Sequence, residues 1–161
     1  MANQAISFRP LSSFDKTQRD RLLVAIKQVE KRTFPPHEAF AFDDELRKRN
    51  TTLICATRTS DVGVEVVAYL VYVRAGRTAL VHKLCVVEHC RREGVARTML
   101  IRLHGELAHQ GCRTVQLWVD SKRLPARHLY SQIGFSEAQR VDDYYGQGRT
   151  GLKMVLDLEA P

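Results

Sequence analysis

The stretch Leu80-Val81-His82-Lys83-Leu84-Cys85-Val86-Val87 is apolar and of strand length, and a polar hinge, Glu88-His89-Cys90, closes it. Arg91-Arg92-Glu93-Gly94-Val95-Ala96-Arg97 follows and runs without a break into a helical pattern. There Val95, Ala96, Met99, Leu100, Leu103 and Leu107 recur at helical spacing, while Arg97, Arg102 and Glu106 take the other side. The order is strand, small-residue loop, helix.

Such a loop has a physical use. The first N–H groups of a helix lack intrahelical partners and the dipole is positive there. Gly94 can take a conformation closed to other residues, and Gly94 with Ala96 lets a ligand approach the backbone closely. Arg91, Arg92 and Arg97 add charge, so the site suits a pyrophosphate. Gly-x-Ala at a helix start serves plain packing as well, so this reading needs support elsewhere. The loop lacks the Gly-Lys-Ser/Thr of a Walker loop and does not match the Gly-x-Gly-x-x-Gly dinucleotide pattern.

Working outward, Gly111 ends the helix and residues 114–119 read as another strand. Strand, helix and strand within about 40 residues imply a parallel crossover. Upstream, residues 6–11 read as a first strand. Asp15 is placed to cap a helix over 16–32 whose buried stripe is Leu22, Leu23, Ile26 and Val29. Phe34-Pro35-Pro36-His37 breaks it, and a second helix is expected over 38–49, ending at Asn50. Residues 51–57 and 64–73 read as strands joined by tight turns, hence antiparallel. Downstream, residues 125–135 form a short helix ended by Gly134. Strands are expected near 136–140 and 152–158, with a polar loop holding Asp142-Asp143-Tyr144-Tyr145-Gly146 between them.

At 161 residues the chain reads as one domain, residues 1–161, large enough for a proper core. Hydrophobic residues make up 44% and charged residues 27%, as in a soluble globular protein. No apolar run approaches the roughly 20 residues needed to span a bilayer, and the start lacks a basic-then-apolar signal pattern. The expected location is cytoplasmic, with no membrane partner. Cys55, Cys85, Cys90 and Cys112 form no Cys-x-x-Cys pair and read as buried free thiols. No His-x-x-x-His pair encloses a Glu, so no metal site is expected. The net charge of +7 suits an anionic cofactor as well as nucleic acid, but the basic residues are spread along the chain with little aromatic interleaving.

A second block decides between these readings. Arg-x-x-Gly-x-Ala from Arg91 to Ala96, after a strand and opening an amphipathic helix, resembles the acyl-CoA loop of the GNAT acetyltransferase superfamily. Ala-x-x-Leu-Tyr-x-x-x-Gly-Phe, from Ala126 to Phe135, is similar to the second signature of that superfamily, and it lies at the family's distance downstream. The resemblance covers roughly residues 51–158, with helices in the right place before it. It implies an α/β GNAT fold, a mixed and mostly antiparallel sheet of about seven strands flanked by about four helices. It also implies acetyl-CoA as the donor and a primary amine as the acceptor, without an acyl-enzyme.

By that resemblance Leu84, Cys85 and Val86 hold the pantetheine arm through backbone groups, and Arg91, Arg92, Glu93, Gly94, Val95, Ala96 and Arg97 take the pyrophosphate. Tyr130 resembles the general acid that protonates the departing thiolate. A phenol near about pKa 10 stays protonated at neutral pH and can donate to a thiolate whose conjugate acid lies near about 8.5. His82 is the candidate base, since it matches a histidine of arylalkylamine-type relatives; a core histidine is the alternative. Protein N-terminal acetyltransferases of the superfamily carry Phe-Pro between the first two helices, as at Phe34-Pro35, and a Tyr-Tyr pair near the end, as at Tyr144-Tyr145, and grip a peptide there. One branch of them pairs a strand tyrosine with a histidine, and the matching positions here are Leu80 and Trp118. Arg123 also replaces an Asn that is common before the second block.

The expected activity is acetyl transfer to a protein or peptide N-terminal amine. A small arylalkylamine or polyamine is the alternative acceptor. A CoA-holding or nucleic-acid-binding module without turnover is the alternative of another class.

Overall fold

The computed structural model describes residues 5–159. Its strands are β1 (Ile6–Pro10), β2 (Thr51–Ser60), β3 (Gly63–Ala75), β4 (Thr78–Val86), β5 (Thr114–Asp120), β6 (Ser136–Gly146) and β7 (Arg149–Asp157). The helices are α1 (Lys16–Thr33), α2 (Phe42–Glu45), α3 (Val95–His109) and α4 (Leu124–Ile133). The seven strands form one mixed sheet in the order β1-β2-β3-β4-β5-β7-β6. β4 and β5 are parallel, whereas the β1–β2, β5–β7 and β6–β7 pairs are antiparallel. This is the mixed α/β architecture expected of a GNAT fold.

The chain divides into two compact units. One holds the chain up to Tyr72 together with Lys83–Met99; the other holds Val73–His82 together with the chain from Leu100 onward. In the first unit Asp15 caps α1 by accepting a hydrogen bond from the Gln18 N–H at 2.9 Å, which satisfies one orphan donor of the first turn. Leu22, Ile26 and Val29 then turn a single stripe of α1 inward. They pack with Leu53, Cys55, Tyr69, Val71 and Cys85 in one core. Leu23 is packed against that core but only partly buried.

The expected second helix is shorter than its sequence suggests. Only Phe42–Glu45 is α-helical, preceded by a 3-10 turn at Pro36–Glu38. The backbone leaves the helical region at Ala39 (ψ 137°) and Ala41 (ψ 78°), so the helix cannot start before Phe42. Between them the Phe40 N–H donates to the Glu30 carboxylate at 2.9 Å.

In the second unit β5 pairs along its whole length with β7, from Thr114↔Asp157 to Asp120↔Gly151. Gly134, at φ +119°, ends α4 in the left-handed conformation that glycine adopts without penalty. The Asp142–Gly146 stretch is no loop. It is the end of β6, and only Gln147 and Gly148 turn the chain into β7. The polar composition hid the strand, because an exposed strand shows no apolar alternation. All four cysteines are buried free thiols, as expected. No helix among the described residues is long and apolar enough to cross a membrane.

Candidate active site

In the first unit the loop after β4 opens with a 3-10 turn, Glu88–Cys90. Two residues beyond it have positive φ: Arg92 at 64° and Gly94 at 78°. A Cβ at Gly94 would meet nothing within 4 Å, so what the glycine supplies is backbone conformation rather than space. The Thr98 N–H donates to the Gly94 carbonyl at 3.0 Å, the first intrahelical bond of α3. The N–H groups of Val95, Ala96 and Arg97 therefore precede any helical acceptor. Arg91, Arg92 and Arg97 are exposed around them, and Arg91 Nε donates to the Val86 carbonyl at 3.0 Å. Backbone donors at a helix start with three guanidinium groups suit a diphosphate.

β4 carries the other candidates. Its ladder with β5 runs from Thr78↔Thr114 to Val81↔Leu117, and the strand continues beyond it to Val86. Cys85 is buried in the core, where burial pushes its thiol above the ordinary range, so only its backbone is suited to a ligand. Leu84 and Val86, which alternate with it, are half-buried. His82 is exposed, which excludes the core-histidine alternative. Phe34 is half-buried and Pro35 exposed, at the end of α1.

The second unit contains Tyr130, Tyr144 and Tyr145. Tyr130 sits on α4 with its ring 5.8 Å from that of Phe135, edge to face. Burial raises its pKa, and the Arg123 charge opposes that rise. The phenol is therefore a neutral donor at physiological pH. The residue is half-buried, and its hydroxyl is not among the buried polar atoms left without a partner.

The two tyrosines of β6 form a fixed wall. Val141 pairs with Gly151 and Gly146 with Arg149, so residues 142–145 bulge out opposite the single residue Thr150. The Tyr144 ring then stacks on Trp118 at 4.1 Å with 9° between planes, and meets Tyr145 edge to face at 4.9 Å. Arg149 lies 5.4 Å from the centre of the Tyr145 ring and binds Asp120 at 3.1 Å. Asp120 also accepts the Lys122 N–H, and these partners hold its carboxyl below the usual range. Gly151 makes the stack possible, since a Cβ there would come within 2.7 Å of the Tyr144 ring. Gly151→Ala should cost at least about 1 kcal/mol through loss of the ring pair. Near-UV circular dichroism would show it as a weakened aromatic band; an unchanged band would mean that the stack does not need the glycine.

Sequence reading missed Trp118 as a partner of Tyr144, and it missed Lys83 and Glu30, a buried ion pair at 3.1 Å. The available signals were a charge on the apolar stripe of α1 and a lysine within an apolar strand. Glu65, His89 and Cys90 bring three ligand-type atoms within 4.8 Å of one another. Arg58 lies 3.2 Å from the Cys90 sulfur and 3.9 Å from Glu65, so a guanidinium already neutralises that group.

A sequence model described as the acetyltransferase (GNAT) family matches residues 20–135. The chain belongs to that family. It is an acetyl-CoA-dependent acetyltransferase. No curated protein sequence matches it. Among solved structures, this acetyltransferase is similar to a ribosomal-protein alanine N-acetyltransferase from Escherichia coli, with a TM-score of 0.76 at 20% identity over 98% of this chain and 96% of that one. Arabidopsis thaliana NAA60 in complex with acetyl-CoA gives 0.76 at 20% identity, over 97% of this chain and all of that one. A spermidine/spermine N-acetyltransferase from Vibrio cholerae gives 0.71 at 14% identity, over 96% and 93%. At these identities the likeness shows the fold alone, and a ribosomal-protein alanine and a spermidine/spermine acetyltransferase share it.

Proposed function

We propose that the acetyltransferase works as one domain, residues 1–161, and modifies the α-amine of a protein or peptide. Acetyl-CoA supplies the activated acetyl group as a thioester. Residues 91–97 hold its diphosphate, and backbone groups of Leu84, Cys85 and Val86 hold the pantetheine arm. The Val86 carbonyl is already engaged by Arg91, which leaves the neighbouring backbone groups for that task. The amine nitrogen attacks the thioester carbonyl and the carbon–sulfur bond breaks. Tyr130 gives its proton to the leaving sulfur, and the proton lost by the amine passes to His82 or to water.

The observation that carries this reading is the half-buried Tyr130 hydroxyl on α4, a donor that desolvation keeps protonated. The Trp118–Tyr144–Tyr145 wall supports a peptide acceptor, because a rigid aromatic surface binds a chain end at low entropic cost. By the family resemblance Phe34 and Pro35 are acceptor contacts as well. A screen of CoA release with free-amine hexapeptides, tyramine and spermidine tests the proposal. Turnover of the peptides supports it. Turnover of the small amines alone overturns it in favour of a small-amine acceptor.

His82→Ala should lower the rate most below about pH 7.5, where an amine needs help to deprotonate. A pH–rate profile identical to that of the unaltered protein would remove His82 from the mechanism.

A further inference from the structure

Glu30 stands on the inward stripe of α1 and is 2% exposed. Its carboxylate accepts from three separate parts of the chain. The Tyr69 hydroxyl on β3 reaches Oε1 at 2.6 Å, Lys83 Nζ on β4 reaches Oε2 at 3.1 Å, and the Phe40 N–H reaches Oε2 at 2.9 Å. Burial pushes the Tyr69 phenol far up, so it stays a donor. The Lys83 side chain is itself 11% exposed. Its ammonium also lies 3.4 Å from the Glu38 carbonyl and 3.4 Å from the centre of the Phe34 ring.

Desolvating two charges costs so much that an apolar pair of the same volume is often at least as stable. Stability is therefore a poor reason for this pair. Direction is a better one, because hydrogen bonds fix positions that apolar contacts leave adjustable. Three points of residues 34–40 are fixed here: the Phe34 ring, the Glu38 carbonyl and the Phe40 amide. Phe34 and Phe40 also pack against the core, and the Phe40 ring meets that of Phe42 edge to face at 5.0 Å, while the side chains at 35–37 and 39 are exposed. Apolar packing sets where the segment lies, and the three polar contacts set its direction. Phe34, Pro36 and Phe40 from this segment line an open cavity of about 570 Å³ beside α1.

We propose that Lys83 and Glu30 are a positioning pair that holds residues 34–40 in the shape that receives the acceptor. Neither side chain touches the reacting atoms; both act through the segment. This rests on the reading of Phe34 and Pro35 as acceptor contacts.

The test uses the full chain with Lys83→Met, the double variant Glu30→Gln/Lys83→Met, and Phe34→Ala. The acceptor is whichever of the free-amine hexapeptides, tyramine or spermidine turns over best. Lys83→Met should raise the acceptor KM about tenfold, with kcat and the acetyl-CoA KM within about twofold, and should lower the melting temperature. The double variant strands no charge, so its melting temperature should recover while its acceptor KM stays high. Recovery of both together would mean that the pair only stabilises, and would overturn the proposal. An unchanged acceptor KM in Lys83→Met, with Phe34→Ala raising it, would overturn the positioning role and leave the acceptor reading intact. Unchanged values in both would sink the acceptor reading and this proposal with it.

Discussion

Tyr130→Phe is expected to lower kcat for acetyl transfer about a hundredfold, the low end of what a positioned acid contributes, with acetyl-CoA affinity within about twofold. The departing thiolate has a conjugate acid near about pKa 8.5, so expulsion without a proton is slow at neutral pH. Desolvation keeps the half-buried Tyr130 phenol protonated through that range. The substitution should cost the fold little, since it keeps the ring and its edge-to-face contact with Phe135. Steady-state kinetics beside a melting curve would separate the two effects. A kcat within threefold of the unaltered enzyme, with the melting temperature unchanged, would rule out Tyr130 as the acid.

Acid should destabilise the protein through His104, well before most carboxylates titrate. His104 on α3 is 9% exposed, its ring lies 5.5 Å from that of Phe135, and its Nε2 is buried with no hydrogen-bond partner. Desolvation lowers its pKa from 6.5 to about 4. The sign follows from proton counting. Between pH about 6.5 and 4 the unfolded chain binds a proton at this position and the folded chain does not, so stability falls as the pH falls. The full loss is roughly 3 kcal/mol, from about 1.4 kcal/mol for each pKa unit. His104→Leu removes both the linkage and the unpaired nitrogen. Denaturant unfolding at pH 7.5 and 4.5 should show the variant losing about 2 kcal/mol less than the unaltered protein. Equal losses in the two proteins would contradict a buried neutral His104.

Several elements were legible because their signals are local. Asp15 before a regular apolar stripe gives α1 and its cap, and Gly134 after Tyr130 gives the end of α4. The residues from Leu80 to Leu107 give strand, loop and helix directly, and the buried faces of Val95, Met99, Leu100, Leu103 and Leu107 follow the spacing. Other features failed for a common reason. The second helix starts only at Phe42, after a segment whose Phe40 amide is held by Glu30, ten positions away in the chain. Tyr144 and Tyr145 lie on a bulged strand because β7 pairs on either side of them, which no pattern in the polar run Asp142-Asp143 announces.

By itself the sequence determined the family and the order of elements, and it supplied the candidate donor-binding residues. Those depend on periodicity, on glycine where φ is positive, and on the charges at a helix start, all contained within short windows of chain. Tertiary structure alone decided how the candidate acceptor residues are held: Trp118 against Tyr144, Gly151 beneath that ring, and Glu30 against the Phe40 amide of the Phe34 segment. Each of those arrangements needs partners far apart along the chain to meet at hydrogen-bond or ring-stacking distance, and only the folded backbone sets that distance.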